Sequence, residues 1–130
     1  MAIRIVRLGE GRARNEGPRL GTVRRLPRGV RKEDYARRDY FDAWLPELAP
    51  SEPLLRSFDP DGGNAAFQKL LRGYRSEMAA PEKQRLLKLL AKISESTPLA
   101  VGCYCSDPKR CHRSELAHLL EAAGAKVRRE

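Results

Sequence analysis

Behind Pro98 the chain runs Leu99-Ala100-Val101-Gly102-Cys103-Tyr104-Cys105, apolar without interruption. A strand with one wet face alternates apolar and polar residues. A continuous apolar run of strand length reads as a strand buried on both faces, which needs a covering layer above and below. This segment is therefore expected at the centre of a sheet. Starting from about Cys111, Leu116, Leu119, Leu120 and Ala123 recur at helical spacing, Gly124 supplies a stop, and Ala125-Lys126-Val127 follows as a short strand. Strand, helix and strand make a βαβ unit with a right-handed crossover. The predicted fold class is α/β, a small mostly parallel sheet flanked by helices.

At 130 residues the chain holds one domain's worth of core, and no repeat or pooled linker divides it, so residues 1–130 are read as a single compact domain. Ile3 to Leu8 is rich in β-branched residues and reads as a strand ending at Gly9. Glu10 to Pro18 is a loop, and Leu20 to Leu26 is a weaker strand stopped by Pro27 and Gly29. Asp34 to Leu45 is expected to be helical, bounded by Pro46 and Pro50. Asn64 is a plausible cap for a helix burying Phe67, Leu70, Leu71, Tyr74 and Met78, and Pro81 opens another carrying Leu86, Leu87, Leu89, Leu90 and Ile93 to about Ser94.

With 41% hydrophobic residues the chain is too apolar to be wholly disordered, and 26 basic against 17 acidic side chains leave a net charge of +9. Residues 1–40 hold 12 basic and 5 acidic side chains, a net of +7 that leaves +2 for the other ninety. Such a balance points to an anionic partner: a small molecule, nucleic acid or an acidic protein. No stretch approaches the roughly 20 apolar residues of a membrane span, and the N-terminal residues lack an apolar run of signal-peptide length. A cytoplasmic protein with no membrane partner is expected. The three cysteines, odd in number and packed within nine residues, make a poor disulfide scaffold and fit a local thiol site.

That site is the stretch Cys103-Tyr104-Cys105-Ser106-Asp107-Pro108-Lys109-Arg110-Cys111-His112-Arg113-Ser114, which joins the carboxyl end of the central strand to the start of a helix. Ligands of open α/β sheets bind at such edges, where helix N–H groups and the helix dipole favour anions. A thiolate there is stabilised by the dipole and by Lys109, Arg110 and Arg113. Cys105 and Cys111 are the candidate nucleophiles or redox centres. His112 is the candidate proton carrier, although adjacent side chains at a helix start diverge and need not touch. Arg113 is the candidate anion clamp, its guanidinium suited to bidentate binding. Cys103 reads as a small core hydrophobe. The four Cys and His residues have zinc-ligand chemistry but no C-x-x-C knuckle, and no metal or cofactor is assigned.

These residues stand in an order that resembles the DUF488 family, in particular its short YeaO-like members. In that family a strand ending in a cysteine is followed by a small or acidic stretch and then Cys-His-Arg at a helix start. Cys105, Asp107, Cys111, His112 and Arg113 occupy those places. Leu26-Pro27-Arg28-Gly29 is similar to the family's Leu-Trp-Pro-Arg-Gly signature. Trp44-Leu45, Leu48-Ala49-Pro50-Ser51, Phe58 and Tyr74-Arg75-x-Glu77 match further landmarks, so that the likeness spans residues 17 to about 125. The chain departs from the pattern at Arg24, where many members have Asp, and in lacking the signature tryptophan. The resemblance implies a compact α/β fold and a pocket uniting the turn near Arg28 with the Cys-His-Arg turn. It supplies no activity.

Should Arg25 and Arg28 meet Arg113 across the sheet's edge, three guanidiniums would converge, and their mutual repulsion would call for an anionic ligand. The leading expectation is thus a protein that binds an anionic, phosphorylated or nucleotide-like small molecule at the Cys-His-Arg turn, with cysteine-dependent catalysis. The alternatives are a nucleic-acid-binding module using the basic N-terminal region and a non-catalytic thiol- or metal-binding protein.

Overall fold

The computed structural model describes residues 1–104 and 111–129. The apolar run forms strand β4, Leu99–Cys103, and every residue of it is buried. Parallel partners flank it on both sides. β1 (Ile3–Arg7) pairs from Ile3 with Leu99 to Arg7 with Cys103, and β2 (Arg19–Gly21) pairs from Arg19 with Ala100 to Gly21 with Gly102. β3 (Ala43–Trp44) extends the sheet beyond β2, and β5 (Val127–Arg129) lies beyond β1. The order is β3-β2-β4-β1-β5, parallel throughout. The final crossover therefore leads from β4 to a strand two places away, with β1 filling the slot between. Gly102 is dictated by this centre: a Cβ there would stand 2.2 Å from the Val6 carbonyl oxygen.

Among the described residues there are four α-helices: α1 (Glu52–Ser57), α2 (Gly63–Met78), α3 (Pro81–Ser94) and α4 (Arg113–Ala122). Helix α2 buries Phe67, Leu71, Tyr74 and Met78 as its periodicity requires, but it starts one residue before Asn64, with Gly62 in the cap position. Helix α3 buries Leu87, Leu90 and Ala91, whereas Leu89 and Ile93 lie on its outer side at 55% and 39% exposure. After α4, Gly124 at φ +108° lets Ala125 N–H turn back to the Leu120 carbonyl, which closes the helix before β5. Helix α1 went unread in the sequence although its capping signal is present: the Ser51 hydroxyl accepts from Leu54 N–H, and Pro53 stands in the first turn.

The expected helix over Asp34–Leu45 does not form. Asp39 adopts φ +63°, and Tyr40 N–H reaches back five residues to the Tyr35 carbonyl, which is how a helix ends rather than continues. Asp42 N–H then pairs with the Arg19 carbonyl and Leu45 N–H with that of Gly21, drawing the chain out as β3. Long-range pairing with β2 overrides the local helical spacing. As a result the two faces of the sheet are covered differently. Ile3, Ile5, Leu99 and Val101 pack with Tyr74, Met78, Leu87, Leu90, Leu116 and Leu120 from the helices. Val6, Leu8, Ala100 and Cys103 of the strands and their ends pack with Val23, Phe41 and Cys111 from irregular segments.

Buried Arg19 holds that irregular layer together. At 1% exposure its guanidinium donates to both oxygens of Glu16 at 2.9 Å and to the carbonyls of Glu10 and Asp39 at 2.7 and 2.6 Å. Arg12 adds bonds to Asp39, Asp42 and the Ala36 carbonyl. Burial works against the charged carboxylate of Glu16, but the Arg19 and backbone hydrogen bonds and the Arg19 charge outweigh it and hold its pKa below the ordinary value.

Candidate functional site

The Cys-His-Arg turn docks on the carboxyl ends of the three central strands. Thr22 continues β2 by donating both its N–H and its hydroxyl to the Gly102 carbonyl, at 3.1 and 2.9 Å. Its own carbonyl oxygen lies 2.8 Å from Nε2 of His112. A carbonyl only accepts, so Nε2 carries the proton, and whenever the ring is neutral Nδ1 presents the lone pair. That Nδ1 is 3.8 Å from Sγ of Cys111. Adjacent side chains that need not touch are thus brought together by fixing the far side of the ring. Cys103, at the end of β4, completes the cluster, and the donor atoms of Cys103, Cys111 and His112 all lie within 4.8 Å of one another. Both thiols are 2% exposed.

Two further side chains hold this turn. Arg113 is 4% exposed, and its Nη1 donates to the Val6 carbonyl at 2.9 Å, tying the start of α4 to β1. Tyr74 meets the His112 ring edge-on, with ring centres 5.4 Å apart, and its hydroxyl donates to the Leu48 carbonyl. Burial pushes the Tyr74 phenol well above its ordinary pKa, and the neighbouring Cys111, Glu115, Cys103 and Glu77 add to the effect. Glu77 accepts from the N–H and hydroxyl of Ser51. Arg75 bridges to Glu115 of α4 at 2.7 Å. The Tyr74-Arg75-x-Glu77 landmark therefore fastens the Leu48–Ser51 segment and α4 around the turn.

Beside it, along the same edge, runs a groove of about 410 Å³ lined by Arg7, Leu8, Arg25, Leu26, Pro27, Arg28, Tyr40 and Tyr104. Leu8 belongs to the apolar cluster that contains Cys103 and Cys111, and Tyr40 and Tyr104 pack against that cluster. The groove and the thiols thus share a wall. Tyr104 donates its hydroxyl to the Arg25 carbonyl, and Arg7 Nε donates to the Tyr104 carbonyl, both at 3.1 Å. Arg25 pairs with Glu52 at 2.7 Å and Arg7 with Glu10 at 3.5 Å. Among the described residues no carboxylate pairs with exposed Arg28.

Of the residues singled out in the sequence, Cys111 and His112 come together, and Arg25 and Arg28 share the groove. Arg113 lies in the interior and is not among the described residues of the groove lining. Cys105 lies outside the described residues, as do Asp107, Lys109 and Arg110. Sequence reasoning missed Thr22, which acts through its backbone, and the roles of Arg7, Tyr40 and Tyr104 in the groove. It read Cys103 as a core hydrophobe; the thiol is buried and also stands within the donor cluster. The basic N-terminal region is in part internally committed, since Arg12, Arg19, Arg25, Arg31 and Arg37 all pair with carboxylates. Among the described residues no helix is long and apolar enough to cross a membrane.

A family model named DUF488-N3a, described as "Active DUF488-N3 subclade", matches residues 3–124. The chain is 28% identical over 122 residues to "Uncharacterized protein YeaO" of Escherichia coli (strain K12), an alignment covering 94% of this chain and 99% of that protein. No solved structure matches the chain.

Proposed function

The chain belongs to the DUF488 family, in its YeaO-like branch, and from that premise we propose that it binds an anionic, phosphorylated or nucleotide-like small molecule in the groove of Arg25 and Arg28, with Cys111 as nucleophile. The observation that carries this reading is the shared wall: Leu8, Tyr40 and Tyr104 line the groove and also pack with the Cys103 and Cys111 cluster. An anion held by Arg28 would lie at the carboxyl edge of a parallel sheet, where ligands of α/β folds bind. His112 takes the thiol proton at Nδ1 while its Nε2 stays on Thr22. Arg113 acts indirectly, by seating the turn on β1.

Calorimetric titration with inorganic phosphate and with AMP at low salt tests the binding. The native chain is expected to bind at least one of them, and Arg28→Gln to weaken it about tenfold, the equivalent of about 1.4 kcal/mol. Because Arg28 is exposed, the variant should fold normally. A chain that binds neither ligand, or an Arg28→Gln variant that binds as tightly as the native chain, overturns this assignment.

A further inference from the structure

We propose that Cys103, Cys111 and His112 form a binding site for a borderline-soft metal ion of the zinc class. Two thiol sulfurs and one imidazole nitrogen are the donor types such an ion selects, and here all three lie within 4.8 Å of one another. The separation of Cys111 Sγ from His112 Nδ1 is 3.8 Å. A tetrahedral ion with Zn–S near 2.3 Å and Zn–N near 2.0 Å would hold such a pair about 3.5 Å apart. A shift of a few tenths of an ångström closes that difference.

The outer partners argue the same way. A histidine that ligates through one nitrogen characteristically donates the other N–H to a carbonyl or carboxylate, which fixes its tautomer and aim. His112 is held in this manner by Thr22 at 2.8 Å, leaving Nδ1 turned to the sulfurs. Tyr74 packs edge-on against the ring, restricting its rotation. Binding releases the two thiol protons as the sulfurs become thiolate ligands, and no oxidant or reductant is involved. Among the described residues these three donors supply three of the four positions of a tetrahedral ion. The spacing in sequence conceals the site, because one donor comes from the end of β4 and two from adjacent residues at the start of α4. This inference does not depend on the anion groove, and the two are separately testable. A bound ion takes the Cys111 lone pair, so the metal-loaded form and the thiol-reactive form exclude each other.

The test is titration of the reduced, chelator-treated full-length chain with Co²⁺ alone, followed by Zn²⁺. One Co²⁺ per chain is expected, with sulfur-to-cobalt charge-transfer absorption and the intense visible bands of tetrahedral coordination, both abolished by a stoichiometric addition of Zn²⁺. Cys111→Ser should remove most of the charge-transfer intensity, and His112→Gln should weaken Co²⁺ binding at least tenfold while keeping some sulfur absorption. Zn²⁺ should also protect Cys111 of the native chain from iodoacetamide, with EDTA restoring its labelling. That readout does not depend on how well a variant folds. Cobalt bound without charge-transfer absorption, a spectrum unchanged in Cys111→Ser, or labelling indifferent to Zn²⁺ would overturn the proposal. Phosphate and AMP binding are read in a separate experiment, so failure of one idea leaves the other standing.

Discussion

His112 and Thr22 are joined by a 2.8 Å contact between the imidazole Nε2 and a backbone carbonyl oxygen. This contact sets the orientation of the imidazole at the carboxyl edge of the sheet. It commits the proton to Nε2 and leaves Nδ1 as the acceptor 3.8 Å from Cys111. Were the ring free to flip, its lone pair would sample either direction and the cysteine would face a base only part of the time.

The reactivity of Cys111 should therefore depend on His112. In His112→Gln the imidazole is removed, and alkylation of Cys111 by iodoacetamide at neutral pH should slow at least tenfold, a floor set below the about 10²–10⁴-fold that a positioned base contributes. Labelling is read by mass spectrometry on the Cys111 peptide in metal-free protein, with circular dichroism as the control for folding. An unchanged rate in a folded variant would show that His112 does not act on the thiol.

Breaking the buried Arg19–Glu16 pair should be costly. Both side chains are almost fully buried, at 1% and 3% exposure, and the guanidinium makes four hydrogen bonds within 2.9 Å. Removing one partner strands a buried charge, which costs about 3–5 kcal/mol. Glu16→Leu should lower the urea midpoint accordingly, whereas Arg25→Leu, which breaks an exposed pair, should cost at most about 1 kcal/mol. Equal effects of the two variants would contradict the structural role given to Arg19.

The same layer sets the response to acid. For Asp42, as for Glu16, burial favours the neutral form, but hydrogen bonds from Arg12 and from Arg19 N–H prevail and leave the pKa below its ordinary value. A carboxylate whose folded pKa is depressed contributes stability that is fully present above its unfolded pKa and is lost as pH falls through the folded one. The ordinary values are 4.5 for Glu and 3.8 for Asp, so stability should hold above about pH 5 and decline through and below these values. Urea midpoints at pH 7, 4 and 3 measure this. Glu16→Gln should show a shallower decline below pH 4.5 than the native chain, from a lower starting stability.

How far the sequence could be read depended on whether local pattern or long-range pairing set each element. The central strand, α3 and the final helix with its Gly124 stop are local signals, and the structure follows them. Asp34–Leu45 has helical spacing too, but Arg12 and Arg19 reach across about 20 to 30 residues to bind Asp39 and Asp42, and no local pattern reports such contacts. At the site, the adjacency of Cys111 and His112 was visible. Their contact was not, because it depends on the Thr22 carbonyl 90 residues away. Cys103 read as core because its type and neighbours are those of a core strand. Only the strand register puts it at the edge, opposite Arg7.

The sheet's centre makes a prediction that separates space from backbone strain. In Gly102→Ala the new Cβ would lie 2.2 Å from the Val6 carbonyl oxygen, a backbone atom in β1 that cannot yield without breaking the ladder on which Cys103 and Arg113 depend. Gly29 has φ +72° and open space around its Cβ position, so Gly29→Ala carries only the left-handed backbone penalty of about 1–2 kcal/mol. Gly102→Ala should exceed that clearly and yield little folded protein, while Gly29→Ala remains folded with a modestly lower melting temperature. Thermal unfolding of both variants is the measurement. A Gly102→Ala chain as stable as Gly29→Ala would mean that β1 and β4 are not as closely paired as the register Val6 with Gly102 requires.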